Sequence, residues 1–231
     1  MPEHFRVEIT PTEHITAIAY PAARDRIRWS LLLAHGAGAN QTSDFIVRFA
    51  TGLAARGVDA ITFNFLYTEQ RKRLPDRNDK LEACYRGIIA AWHEGAFGST
   101  ISNGRLVIGG KSMGGRIASQ VVASDAQDIA GLVLLGYPLH PPGKPEKLRT
   151  RHLGSITAPM LFVQGSRDSF GTPEELRPFI DELSAPAELC VVEGGDHSFK
   201  VPKRAALSQE QVYDAVLDHI VRWMRHKVAD H

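Results

Sequence analysis

The sequence predicts an α/β fold in which a mostly parallel, doubly wound sheet is flanked by helices and preceded by an antiparallel N-terminal pair of strands. Three observations lead there. Short runs that are apolar at every position recur along the chain, as strands covered on both faces require. Segments of helical period lie between them. The first twenty residues follow a different rule, with apolar and polar residues alternating.

That alternation covers Phe5, Val7 and Ile9, then Ile15, Ala17 and Ala19, with Pro11 between the halves. A period of two on either side of a turn residue predicts an antiparallel pair with one solvated face. The strand-like runs that follow are 29–34, 60–65, 106–108, 131–135, 160–163 and 189–192. Helical spacing predicts helices over 45–56, 80–92, 113–123, 173–183 and 209–225. Alternation of the two classes argues for right-handed crossovers and a single sheet. No internal repeat or Pro/Gly-rich linker divides the 231 residues, so the expectation is one domain over 1–231.

Composition narrows the function classes. The chain is 43% hydrophobic and 23% charged, with a formal net charge of +1. That balance points away from nucleic acid and from acidic membrane surfaces as partners. No stretch approaches the roughly 20 apolar residues of a membrane span. The N-terminus lacks the pattern of a signal peptide, and Cys84 and Cys190 are too few for a disulfide framework. These features predict a cytoplasmic protein with two buried thiols.

In a doubly wound sheet, ligands bind beyond the carboxyl ends of the strands, so residues just after the apolar runs carry the most information. The run 106–108 leads into Gly109-Gly110-Lys111-Ser112-Met113-Gly114-Gly115 and then a helix. Gly110, Ser112 and Gly114 match the G-x-S-x-G nucleophile elbow, which needs small residues on both sides so that strand and helix can approach. The turn also aims a helix N-terminus, with its unpaired N–H groups, at the reacting centre. Ser112 is the candidate nucleophile.

A serine hydroxyl needs a base, and the base needs an orienting acid. Of ten histidines, His197 stands in the glycine-rich loop Gly194-Gly195-Asp196-His197 after the last strand-like run. Asp168 follows the preceding run, in Gly165-Ser166-Arg167-Asp168, and is the expected partner of His197. Asp196 and Glu193 compete for that role. A sequence neighbour turns its carboxylate onto the far ring edge only with difficulty, which favours Asp168. The order serine, aspartate, histidine suits this kind of sheet. The expected oxyanion donors are the backbone N–H groups of Met113 and of Ala37, with Gly38 the near alternative. His35 reads as a structural residue of the His35-Gly36-Ala37-Gly38 loop.

The His-Gly-x-Gly loop, the elbow from Gly110 to Gly114, Gly165-x-x-Asp168 and Gly195-Asp196-His197 together resemble a small α/β-hydrolase, close to the dienelactone hydrolase-like branch. The likeness spans roughly residues 27 to 225. It implies an esterase-like serine hydrolase with no metal and no organic cofactor. Dienelactone hydrolases carry a cysteine nucleophile where this chain has Ser112, so the likeness does not extend to their substrate.

The interval 136–159 is too short for a substantial cap, and its four early prolines suggest a stiff loop. Gly38, Tyr67, Tyr137 and Phe170 are candidate substrate contacts. Two basic clusters, Arg71-Lys72-Arg73 and Lys144, Lys147, Arg149 and Arg151, are expected on the rim, either as solvated loop charge or as attraction for an anionic substrate. The function expected is cleavage of a small-molecule carboxylic ester or thioester through an acyl-enzyme on Ser112. The alternative from another class is a catalytically inactive interaction protein on the same fold. The helix at 207–227 is a candidate homodimer contact.

Overall fold

A computed structural model describes residues 1–23, 25–125 and 128–227. Eight strands form one sheet: β1 (Glu3–Thr10), β2 (Glu13–Tyr20), β3 (Trp29–Ala34), β4 (Asp59–Phe63), β5 (Arg105–Lys111), β6 (Gly131–Leu135), β7 (Met160–Gly165) and β8 (Ala187–Val192). Six helices connect them: α1 (Asp44–Ala55), α2 (Leu66–Glu69), α3 (Asn78–His93), α4 (Met113–Ser124), α5 (Pro173–Asp181) and α6 (Gln209–Lys227). The spatial order is β1-β2-β4-β3-β5-β6-β7-β8. The first two strands run antiparallel to each other and β2 antiparallel to β4; every later pairing is parallel.

The unbroken apolar runs have a direct explanation in the pleat. Successive side chains of a strand point to opposite faces. Leu31 and Leu33 join the layer beneath α1 and α6, whereas Leu32 and Ala34 join the layer beneath α3, α4 and α5. Strand β5 divides the same way, with Val107 in the first layer and Leu106 and Ile108 in the second. Both faces are covered, so both sets are apolar.

The N-terminal pair departs from the predicted solvated face. Edge strand β1 is mostly exposed, but β2 is buried on both faces in its second half. Ile15, Ala17 and Ala19 enter one core layer while Ile18 and Tyr20 enter the other, because β2 is an interior strand paired with β4. Helix α6 turns Val216, Leu217, Ile220 and Met224 into the core against α1 and the sheet. Its acids Glu210, Asp214 and Asp218 pair with Arg48 of α1 and with Arg56 just past its end. These contacts seat one face of α6 within the chain. Cys84 is buried and Cys190 half-buried, both as free thiols, and burial pushes each up to about 11. Between β6 and β7 there is one 3₁₀ turn, Leu153–Ser155, and no cap among the described residues. No helix among them is long and apolar enough to cross a membrane.

The central crossing depends on missing side chains. A Cβ on Gly109 would come 1.9 Å from the Val133 carbonyl oxygen, and one on Gly114 would come 2.5 Å from that of Ala34. Gly154 has open space around it. Gly109→Ala is expected to lower unfolding free energy by about 2 kcal/mol or more. Gly154→Ala should stay within about 0.5 kcal/mol of the parent. Urea unfolding of the two variants checks both.

Candidate active site

Strand β5 ends in the tight turn that presents Ser112, whose φ is 52° and ψ −115°. A non-glycine residue held there is strained, and the surroundings impose it. The Ser112 N–H donates to the Leu135 carbonyl at 2.9 Å, and its own carbonyl accepts from the Arg116 N–H at 3.0 Å. The residue is thus tied to β6 on one side and to the first turn of α4 on the other.

His197 reaches this point from the loop after β8, with its Nε2 2.9 Å from Ser112 Oγ. Its Nδ1 lies 2.7 Å from Asp168 Oδ2. A carboxylate only accepts, so Nδ1 carries the proton and Nε2 is left to accept from the serine hydroxyl. The Asp168 side chain is fully buried and that of His197 is 21% exposed. Asp168 is also held by the Phe170 N–H on Oδ1 and by Gln164 Nε2 on Oδ2, each at 2.8 Å. A buried carboxylate with three donors is well compensated for its lost hydration.

The competing acids are engaged elsewhere. Asp196 Oδ1 accepts from the N–H groups of Ser198 and Lys200 at 2.8 and 2.9 Å, which shapes its own loop. Glu193 is exposed. The loop carrying His197 packs against Gly165, where a Cβ would sit 2.4 Å from the carbonyl oxygens of both Gly195 and Asp196. Phe170 stacks on the His197 ring, centroids 4.2 Å apart at 27°.

Ser112, His197 and Phe170 line a cleft of about 480 Å³ at the carboxyl ends of the strands, together with Ala37, Met113 and Phe45. The volume is in the range of small-molecule sites. Among the described residues, no protein acceptor takes the N–H of Ala37 or of Met113. His35 is buried beneath the Ala37 loop. Its Nδ1–H donates to the Gly36 carbonyl at 2.8 Å, and its Nε2 accepts from the Phe65 N–H at 3.3 Å. Burial lowers its pKa to about 4, so it is neutral and braces the loop.

Two expected substrate contacts fall elsewhere. Tyr67 is 2% exposed and packs edge-on against His35, supporting the loop from below. Tyr137 is fully buried, and its hydroxyl donates to the Arg149 carbonyl at 2.6 Å. Neither lines the cleft, because both rings are drawn into the core layer around α3 and α4. Gly38, with φ 73°, shapes the loop without lining the cleft either. Of the two basic clusters only Arg149 borders the cleft; Arg71, Lys72 and Arg73 are exposed.

Three further residues carried no role in the sequence reading, Gln164 buried behind the cleft and Arg116 and Lys111 lining it. Gln164 bridges Asp168 to the Gly171 carbonyl, and its Oε1 accepts from the Tyr137 N–H. A lone polar residue ending an apolar strand was the available signal. Arg116 lies one helical turn beyond Ser112, a spacing that places it on the same face. Lys111, just before the serine, is 7% exposed, and its Nζ has no hydrogen-bond acceptor among the described residues. It sits 5.9 Å from the Phe45 ring centroid. Burial lowers its pKa to about 8, opposed by the charges of Asp168 and Asp196.

Fold and site together define an α/β-hydrolase. The model of the alpha/beta hydrolase domain family matches residues 28–225, and the chain belongs to that family. Among solved structures, an α/β serine hydrolase homologue from Coxiella burnetii is similar over 95% of this chain and 96% of its own, at 18% identity and TM-score 0.73. A lid-less α/β serine hydrolase from Xanthomonas campestris matches over 96% and 94%, at 15% identity and TM-score 0.73. Dienelactone hydrolase from Anabaena variabilis matches over 97% and 98%, at 17% identity and TM-score 0.73. At these identities the likeness is one of fold.

The buried lysine yields a pH prediction. Its folded-state pKa of about 8 lies below the unfolded value of 10.5, so the unfolded chain holds the proton more tightly. The contribution of Lys111 to stability therefore rises with pH across that window and is unfavourable below it. Lys111→Met is expected to unfold at higher urea concentration than the parent at pH 7. The advantage should shrink as pH rises from 8 to 10.5, as paired urea titrations at several pH values would record.

Proposed function

We propose that the protein is a serine hydrolase that cleaves a small-molecule carboxylic ester or thioester through an acyl-enzyme on Ser112. The observation that carries this reading is the continuous chain from Ser112 Oγ through the His197 ring to Asp168, with spacings of 2.9 and 2.7 Å, opening onto a cleft. In the first half-reaction Ser112 Oγ attacks the carbonyl carbon while His197 Nε2 takes the hydroxyl proton. Asp168 stabilises the imidazolium through the Nδ1–H bond. The N–H groups of Met113 and Ala37 are the donors assigned to the developing oxyanion.

Collapse of the tetrahedral intermediate breaks the bond to the leaving group, which departs as alcohol or thiol with the proton from His197. Water then enters on the same side and gives a proton to His197. Its oxygen attacks the acyl carbon and releases the acid, and Ser112 recovers its proton. Every proton in the scheme passes through His197, held by Asp168, so the scheme needs no cofactor. A cleft without a cap suits a compact, soluble substrate that enters directly from solvent.

A fluorophosphonate probe tests the reading without a choice of substrate. Intact mass spectrometry is expected to show one adduct on the parent and none on Ser112→Ala. The same substitution should lower kcat on an activated ester by about 10⁴-fold or more, as in enzymes whose nucleophile acts with its base as a unit. An unlabelled parent would instead favour a non-catalytic interaction protein.

A further inference from the structure

One wall of the cleft holds two arginines with no carboxylate in ion-pair contact among the described residues, Glu82 acting on Arg116 only from farther off. Arg116 comes from the first turn of α4, and Arg149 from the loop after β6. The Arg116 guanidinium donates to Gln120 Oε1 at 3.2 Å and to Asn78 Oδ1 at 3.3 Å. That of Arg149 donates to the Pro138 carbonyl at 3.3 Å. All three acceptors are neutral, and neither arginine forms an ion pair among the described residues. Arg48, Arg56 and Arg86 each have a carboxylate partner. The acid bordering the same cleft, Asp76, has Oδ1 3.6 Å from Lys72 Nζ, and its buried Oδ2 has no hydrogen-bond partner among the described residues.

The pair is also built rather than incidental. Arg149 is anchored by its N–H on the Leu139 carbonyl at 2.9 Å, and its own carbonyl accepts the buried Tyr137 hydroxyl. Arg116 is fixed by the hydrogen bond of its backbone to Ser112. Both arginines are half-buried. Burial lowers the pKa of Arg116, and the Arg149 charge adds to it, so the two cations repel one another in a partly dehydrated wall. Each keeps N–H donors in a planar fork that matches a carboxylate or phosphate. An anion placed between them would relieve the repulsion.

We propose that Arg116 and Arg149 form a recognition site for an anionic oxygen group, carboxylate or phosphate, carried by the substrate whose ester carbonyl reaches Ser112. This rests on the hydrolase reading above. Ser112 caps α4 and Arg116 ends its first turn, and both line the one cleft, so a single small molecule spans the serine and the arginines. The exposed cations of the rim, among them Lys144 and Lys147, steer anions without selecting a length.

The test compares mono-4-nitrophenyl esters of glutaric, adipic and suberic acids with neutral 4-nitrophenyl alkanoates of matched length. The parent is expected to favour at least one anionic ester in kcat/KM. Arg116→Gln and Arg149→Gln should each lower that anionic-to-neutral ratio by about ten-fold or more, chiefly through KM. Lys144→Gln should leave it within about two-fold. Circular dichroism checks folding, and Arg149→Gln, on a loop, decides the matter if Arg116→Gln fails to fold. Free adipate and inorganic phosphate, added as competitors, distinguish a carboxylate site from a phosphate site. A ratio unmoved by both arginine substitutions, with neutral esters cleaved well, overturns the anion site and leaves the hydrolase reading intact. Calorimetric binding of the same esters to Ser112→Ala separates the converse case. Arginine-dependent binding without turnover in the parent keeps the site and overturns the hydrolase reading.

Discussion

The approach of β5, α4 and the end of β3 is closer than any side chain permits, and the geometry of the site depends on it. Cβ atoms at Gly110 and Gly114 would each lie 2.5 Å from the Ala34 carbonyl oxygen. With nothing in the way, the chain reverses within one residue, and Ser112 takes the strained backbone at the apex. The same crossing sets the His35-Gly36-Ala37 loop beside the start of α4, so the N–H groups of Ala37 and Met113 share the cleft with the serine hydroxyl. Side-chain positions farther out follow from that turn: Lys111 points in on one side of it and Arg116 on the other.

Polar contacts behind the cleft form a second frame. Gln164 ties the Asp168 carboxylate to Gly171 and to the loop after β6. Tyr137 continues from that loop to the backbone of Arg149. Asp168, which orients His197, and Arg149, on the opposite wall, are therefore linked through buried, mutually satisfied groups. Such a network is rigid because breaking one bond strands a buried partner. Tyr137, which looked like a cleft residue, belongs to this network and supports the Arg149 loop from beneath, whereas Tyr67 supports the Ala37 loop by packing against His35.

Charge in the cleft is unbalanced locally although the chain as a whole carries only +1. Lys111, Arg116 and Arg149 line a cleft whose one bordering acid among the described residues is Asp76, set 3.6 Å from Lys72, while Asp168 behind it is engaged by His197. Net charge, a sum over the surface, is blind to this. A half-buried cation is felt at short range, where little water screens it.

Apolar patterning in the sequence determined the strand runs and helices, since a sheet covered on both faces requires unbroken apolar segments and amphipathic helices to cover them. Glycine spacing around Ser112, and the placing of Asp168 and His197 just after strands, were equally local signals and could be read directly. The burial of β2 on both faces could not be read, because it follows from pairing with β4, a strand some forty residues away in the chain. Nor could the fates of Tyr67 and Tyr137, which an aromatic near a strand end leaves open between core and cleft. The pairing of Arg116 with Arg149 is wholly tertiary: the first belongs to a helix, the second to a loop thirty-three positions later. Only the parallel order of β5 and β6 brings them to one wall, because long-range contact is set by strand neighbours and not by distance along the chain.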